Sequence, residues 1–115
     1  MSGLSTHVLD LTAGRPATGV AIRLLSRLGS TWTEAVATQT DDDGRAKRLT
    51  GESLALGTYR LEFDIGAHFR ASGAAAAGPA FLETVMIQFN VTDADAHYHV
   101  PLLVSPFGYS TYRGS

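Results

Sequence analysis

Apolar and polar residues alternate along short runs of this chain, and that period of two constrains the fold more than any other feature. In Thr58-Tyr59-Arg60-Leu61-Glu62-Phe63-Asp64, one face takes Tyr59, Leu61 and Phe63 and the other takes Arg60, Glu62 and Asp64. A half-buried β-strand requires that division. Val85, Ile87, Phe89 and Val91 form a second such face. Strands are predicted over residues 4–10, 20–28, 31–40, 57–64, 83–91 and 97–104, with a last short one from Tyr109. Turn residues separate the runs every ten or so positions, as in Ala13-Gly14-Arg15-Pro16, Asp41-Asp42-Asp43-Gly44 and Ser105-Pro106-Phe107-Gly108. This spacing belongs to a β-sandwich or barrel, not a helical bundle.

Only residues 66–80 break the pattern. They contain Ala74-Ala75-Ala76-Ala77 and close on Gly78-Pro79. Alanine is the best helix former and Gly-Pro a strong stop, so a short helix or a mobile loop is expected there. No repeat and no shift of composition divides the 115 residues, and one domain over residues 1–115 is expected. Hydrophobic residues at 44% and charged residues at 17% are those of a chain that buries a core.

A net charge of −2, with nine Lys and Arg scattered along the chain, supplies no basic stripe for nucleic acid or anionic lipid. Without cysteine there are no disulfides, thiolate metal sites or thiol nucleophile. The N-terminal residues lack a basic and apolar leader, and no stretch is long enough to span a bilayer, so a cytoplasmic protein is expected.

Chemistry concentrates in the histidines, His7, His68, His97 and His99. On a strand, His97 and His99 share a face and Tyr98 takes the other. A strand histidine of this kind is more often a structural hydrogen-bonding residue than a functional one. With His7 as a third ligand, the pair also has the makings of a zinc site, although no acidic or thiolate partner is signalled nearby. Arg45 follows the acidic turn, where the plain reading is a solvated arginine balancing the aspartates. Calcium is excluded there, because a calcium loop's first aspartate and bidentate glutamate are replaced by Gln39 and Thr50. Ser110, Thr111 and Ser115 sit in no nucleophile elbow. The C-terminal residues Tyr112-Arg113-Gly114-Ser115 carry aromatic and cationic groups where most domains have a polar tail, which marks them as part of a site.

Ser5-Thr6-His7-Val8-Leu9-Asp10 with Gly14-Arg15-Pro16-Ala17, and Tyr98-His99-Val100-Pro101 together with Tyr109 through Tyr112-Arg113-Gly114-Ser115, resemble the signatures of the 5-hydroxyisourate hydrolases, the enzymatic branch of the transthyretin-like proteins. The resemblance covers nearly the whole chain. It implies an all-β, transthyretin-like (prealbumin-like) sandwich of two four-stranded antiparallel sheets with one short helix. It also implies a homotetramer, a dimer of dimers with active sites where the dimers meet. The implied reaction opens the cyclic amide of 5-hydroxyisourate to 2-oxo-4-hydroxy-4-carboxy-5-ureidoimidazoline in urate breakdown.

By the same resemblance the catalytic residues are His7, Arg45 and His99, and Tyr112, Arg113, Gly114 and Ser115 bind substrate. No metal and no cofactor are expected. His99 or His7 would activate water while the other handles the leaving ring nitrogen, and Arg45, with Arg113, would hold the charge that develops. His68 and His97 are left with structural roles. Departures from the family pattern are the alanine-rich 66–80 segment and Ala46, where the family often has cysteine. The rival reading is a non-enzymatic carrier of a small aromatic ligand, disfavoured because a carrier channel is lined by apolar and small residues. A secreted adhesion module is weaker still, with Trp32 the only tryptophan and placed in a predicted strand.

Overall fold

Burial follows the alternation. In a computed structural model that describes residues 3–50 and 54–114, Tyr59, Leu61 and Phe63 of one strand and Val85, Ile87 and Val91 of its neighbour are all buried. The elements run β1 (Gly3–Asp10), β2 (Arg15–Pro16), β3 (Ala21–Leu28), β4 (Thr31–Gln39), β5 (Arg45–Ala46), β6 (Gly57–Asp64), α1 (Ile65–Ser72), β7 (Thr84–Val91), β8 (His97–Ser105) and β9 (Gly108–Thr111).

One sheet has the order β4-β3-β6-β7, every pair antiparallel. The other has the order β2-β1-β8-β9, with β5 also paired to β1. Between the sheets, Leu4, Val8, Val100, Leu102 and Val104 pack with Ile22, Leu24, Leu61, Phe63 and Val85 in one core. On the outer face of the first sheet, Glu62 is buried beneath a short ion pair to Arg23, its register partner on β3.

The all-β sandwich agrees with the sequence, while the second sheet departs from the four antiparallel strands implied by the resemblance. β1 and β8 run parallel, with Ser5 beside His99 and His7 beside Pro101. Parallel neighbours need a long crossover, and here the whole other sheet forms the connection. Two-residue strands at Arg15–Pro16 and Arg45–Ala46 also join this sheet. Both lie in or beside segments that sequence marks only as turns.

The helix falls in the expected 66–80 segment but occupies its start and leaves out the alanine run. Asp64 caps its start by accepting a hydrogen bond from the Ala67 amide, and Gly73, in the left-handed region at φ 81°, ends it with an N–H bond to the Arg70 carbonyl. That cap stops the helix one residue before Ala74, so local termination overrides alanine's propensity. Ile65 and Phe69 seat it on the core, and a two-pronged Arg70–Glu83 pair at 2.9 and 2.8 Å ties it to the approach to β7. No helix among the described residues is long and apolar enough to cross a membrane.

Asp10, 4% exposed at the end of β1, joins strand to helix. Its Oδ1 accepts from the amides of Thr12 and Ala13, and its Oδ2 lies 2.8 Å from His68 Nε2. Burial raises the carboxyl's pKa, but His68 and the two amides outweigh it and leave the group below its ordinary 3.8. A carboxylate lowered by folding adds stability that is complete above the unfolded pKa and is lost as pH falls through the folded one. Asp10→Ala strands the histidine and two amides and is expected to cost about 3 kcal/mol. Urea midpoints measured from pH 6 down to pH 2 should show wild type losing its advantage over Asp10→Asn at the acid end.

Candidate active site

The parallel pairing missed by sequence builds the site. Along β1 the core-facing Leu4, Thr6 and Val8 alternate with outward Ser5 and His7, and along β8 Tyr98 and Val100 alternate with outward His97 and His99. Running in register, the two strands bring Ser5 next to His99. β5 pairs antiparallel on the other side of β1 and sets Arg45 opposite His7. Three residues distant in sequence therefore meet on one face of one sheet.

The acidic turn positions two of them through its backbone. Asp41 Oδ1 accepts from the amides of Asp43 and Arg45 at 2.9 and 3.0 Å, and the Arg45 amide is the main reason the Asp41 carboxyl is lowered. The aspartate thus holds the main chain of Arg45, in contrast to a simple balance of charges. Gly44 has φ 74°, and a Cβ there would lie 2.6 Å from the Val8 carbonyl oxygen and 2.8 Å from Pro16 Cβ. Only glycine fits. The same turn presents the Asp43 carbonyl to His7 Nε2 at 2.9 Å. A carbonyl only accepts, so Nε2 carries the proton and Nδ1 is left as the nitrogen with a lone pair.

His99 is half-buried and its Nδ1 lies 2.8 Å from Ser5 Oγ. Burial is the main cause that lowers its pKa, followed by the positive charges of Arg45, His7 and His97, while a hydrogen bond to the Ser5 backbone works in the opposite direction. Its imidazole is therefore neutral at physiological pH. Gly114 closes over the ring: its amide donates to the His99 carbonyl at 2.8 Å, and a Cβ at this position would fall 2.5 Å from His99 Cδ2. Any side chain at 114 must push the imidazole aside, which explains a glycine in the terminal motif without any appeal to φ.

The remaining motif residues divide. Tyr112 is 60% exposed. Arg113 places its guanidinium carbon 4.3 Å from the centroid of Tyr98, a residue on the other face of β8 from the histidines. Ser115 lies outside the described residues. Two residues that the sequence reading did not place among the catalytic ones join the cluster. His97 Nε2 is 2.9 Å from Ser5 Oγ, so Ser5 bridges both histidines of β8. Its signal was available: Ser5 and His7 are two apart on an alternating strand. His68, by contrast, is engaged by Asp10. Among the described residues no group of three or more His, Asp or Glu side chains is arranged to hold a metal ion.

A neutral imidazole with charged guanidinium nearby can take a proton from water and hold an oxyanion. Comparison with known proteins points the same way. The HIUase/Transthyretin family matches residues 4–114. The 5-hydroxyisourate hydrolase of Caulobacter vibrioides is 56% identical over 115 residues and covers all of both chains. Among solved structures, the 5-hydroxyisourate hydrolase of Klebsiella pneumoniae matches with a TM-score of 0.83 at 36% identity, covering all of both chains. Sea bream transthyretin in complex with thyroxine matches with 0.86 at 31% identity, over 96% of this chain and 93% of its own.

Proposed function

This chain belongs to the HIUase/transthyretin family, and from that premise we propose that the histidine-bearing face of its first sheet hydrolyses 5-hydroxyisourate. It is a hydrolase: it opens the cyclic amide to 2-oxo-4-hydroxy-4-carboxy-5-ureidoimidazoline. The observation that carries this reading is a half-buried histidine, His99, with its pKa lowered and Arg45 acting on it. Fold alone does not choose, since a thyroxine-binding transthyretin matches as well as a hydrolase does. Side-chain chemistry chooses, because imidazole and guanidinium are groups a reaction needs and an apolar carrier channel does not.

His99 takes the proton from a water as its oxygen bonds to the ring carbonyl. Arg45 stabilises the oxyanion formed on that carbonyl oxygen. The carbon–nitrogen bond then breaks, the new carboxyl stays on carbon, and the proton is returned to the leaving nitrogen. His7 offers Nδ1 to the ring, because its Nε2–H is held by Asp43. Tyr112 and Ser115 bind the substrate, Gly114 fixes His99, and Arg113 lies over the Tyr98 ring.

The whole chain works as one hydrolase domain in the cytoplasm. Its assembly is a homotetramer, a dimer of dimers with the histidine faces at the dimer contact. Exposed Leu11, Phe107, Tyr109 and Tyr112 supply apolar surface to bury there. Neither nucleic acid nor membrane takes part.

Freshly generated 5-hydroxyisourate should decay faster with the purified protein, followed by ultraviolet absorbance, and a chelator should leave the acceleration intact. No acceleration by folded protein would move the carrier of an aromatic ligand to first place.

A further inference from the structure

Ser5 is one of the few buried polar residues, 8% exposed, and its single hydroxyl lies between two imidazole nitrogens. His99 Nδ1 is 2.8 Å away on one side and His97 Nε2 is 2.9 Å away on the other. A serine hydroxyl has one proton to give and lone pairs to receive. It can donate to one ring at most, so at least one of the two facing nitrogens is protonated and donates to it. Where the hydroxyl proton lies between the rings, two orders exist. In the first, His99 Nδ1–H donates to Oγ and the hydroxyl donates to His97 Nε2, which leaves His99 Nε2 with its lone pair exposed. In the second, His97 Nε2–H donates to Oγ and the hydroxyl donates to His99 Nδ1, which puts the His99 proton on Nε2 and removes the base.

The geometry and the reaction together choose between them. Ser5 Oγ engages Nδ1, so Nε2 is the ring nitrogen left to meet a water, and a base needs its lone pair there. Resting on the hydrolase reading above, we propose that Ser5 is a positioning residue that holds His99 in its Nδ1–H tautomer and thereby directs an unprotonated Nε2 at the attacking water. His97 Nε2, 2.9 Å away on the other side, holds the hydroxyl in place. The parallel register of β1 and β8 is what makes the bridge possible, because it sets Ser5 and His99 side by side.

The test is Ser5→Ala with Ser5→Thr as the conservative rescue, read by imidazole 15N spectra and by steady-state kinetics. In wild type the His99 proton is expected on Nδ1. In Ser5→Ala the ring loses its hydroxyl partner and becomes a mixture of tautomers, with kcat down about tenfold and KM within about twofold. Ser5→Thr should recover both the spectrum and most of kcat. A wild-type proton on Nε2, or an unchanged kcat and spectrum in Ser5→Ala, overturns the proposal. The spectra require no substrate. A wild-type protein that shows the Nδ1 tautomer but does not accelerate 5-hydroxyisourate decay would instead refute the hydrolase reading.

Discussion

His99→Ala is expected to lower kcat for 5-hydroxyisourate by about 10² to 10⁴-fold, the usual range for loss of a positioned general base, while the protein keeps its fold. The side chain points away from the core that holds the two sheets together, so its removal leaves Leu102, Val104 and their neighbours in place. Unchanged circular dichroism and thermal midpoint would separate lost chemistry from lost structure. The wild-type pH profile carries a second part of the expectation. A histidine base works when neutral, and His99 is lowered from its ordinary 6.5 by burial first and by Arg45, His7 and His97 next. Activity should therefore persist below pH 6.5 and fall only as pH drops through the depressed value, with the proton-bound ring inactive. A profile of kcat/KM with its acid limb at or above 6.5 would contradict this environment. A fully active His99→Ala would remove His99 from the base role and leave His7 Nδ1 to fill it.

How far the sequence could anticipate this site depended on what each residue advertises locally. Alternation in 57–64 and 83–91 is a property of neighbours along the chain, and the predicted strands there agree with β6 and β7 to within a residue. Pairing direction is not local. Nothing within residues 4–10 or 97–104 says that the two strands run parallel, because that depends on the path of the intervening sheet. Without that register the Ser5 bridge between His97 and His99 was invisible, though all three residues stood in predicted strands. Arg45 was named catalytic only through the family resemblance: read locally, its guanidinium was a solvated charge beside three aspartates, and it is β5 that sets it opposite His7. The helix lies in the expected 66–80 segment, but within it the propensity at Ala74 through Ala77 lost to the caps at Asp64 and Gly73. Arg113 is next to Gly114 in sequence, yet its guanidinium lies over the Tyr98 ring, whereas Gly114 pairs with His99.

Arg45→Ala is expected to reduce kcat/KM by about 10² to 10³-fold, the loss typical of a single oxyanion donor, and to shift the acid limb upward. The direction of that shift follows from the charges. Arg45 is the first of the positive neighbours that disfavour protonation of His99, so its removal lets the ring hold a proton at higher pH. Burial, the larger cause, persists, and the limb should still lie below the ordinary value of 6.5. Arg45→Lys keeps the charge but not the planar fork. It should hold the limb near its wild-type position and yet recover only part of the rate, which divides Arg45's electrostatic effect on His99 from its hydrogen bonds to the oxyanion. The double variant His99→Ala, Arg45→Ala is the decisive comparison. If base and oxyanion donor act on one transition state, the two losses are far from additive and the double variant is little worse than the poorer single one. Losses that multiply would mean that Arg45 binds substrate without regard to where its charge develops, and would confine it to a lower KM.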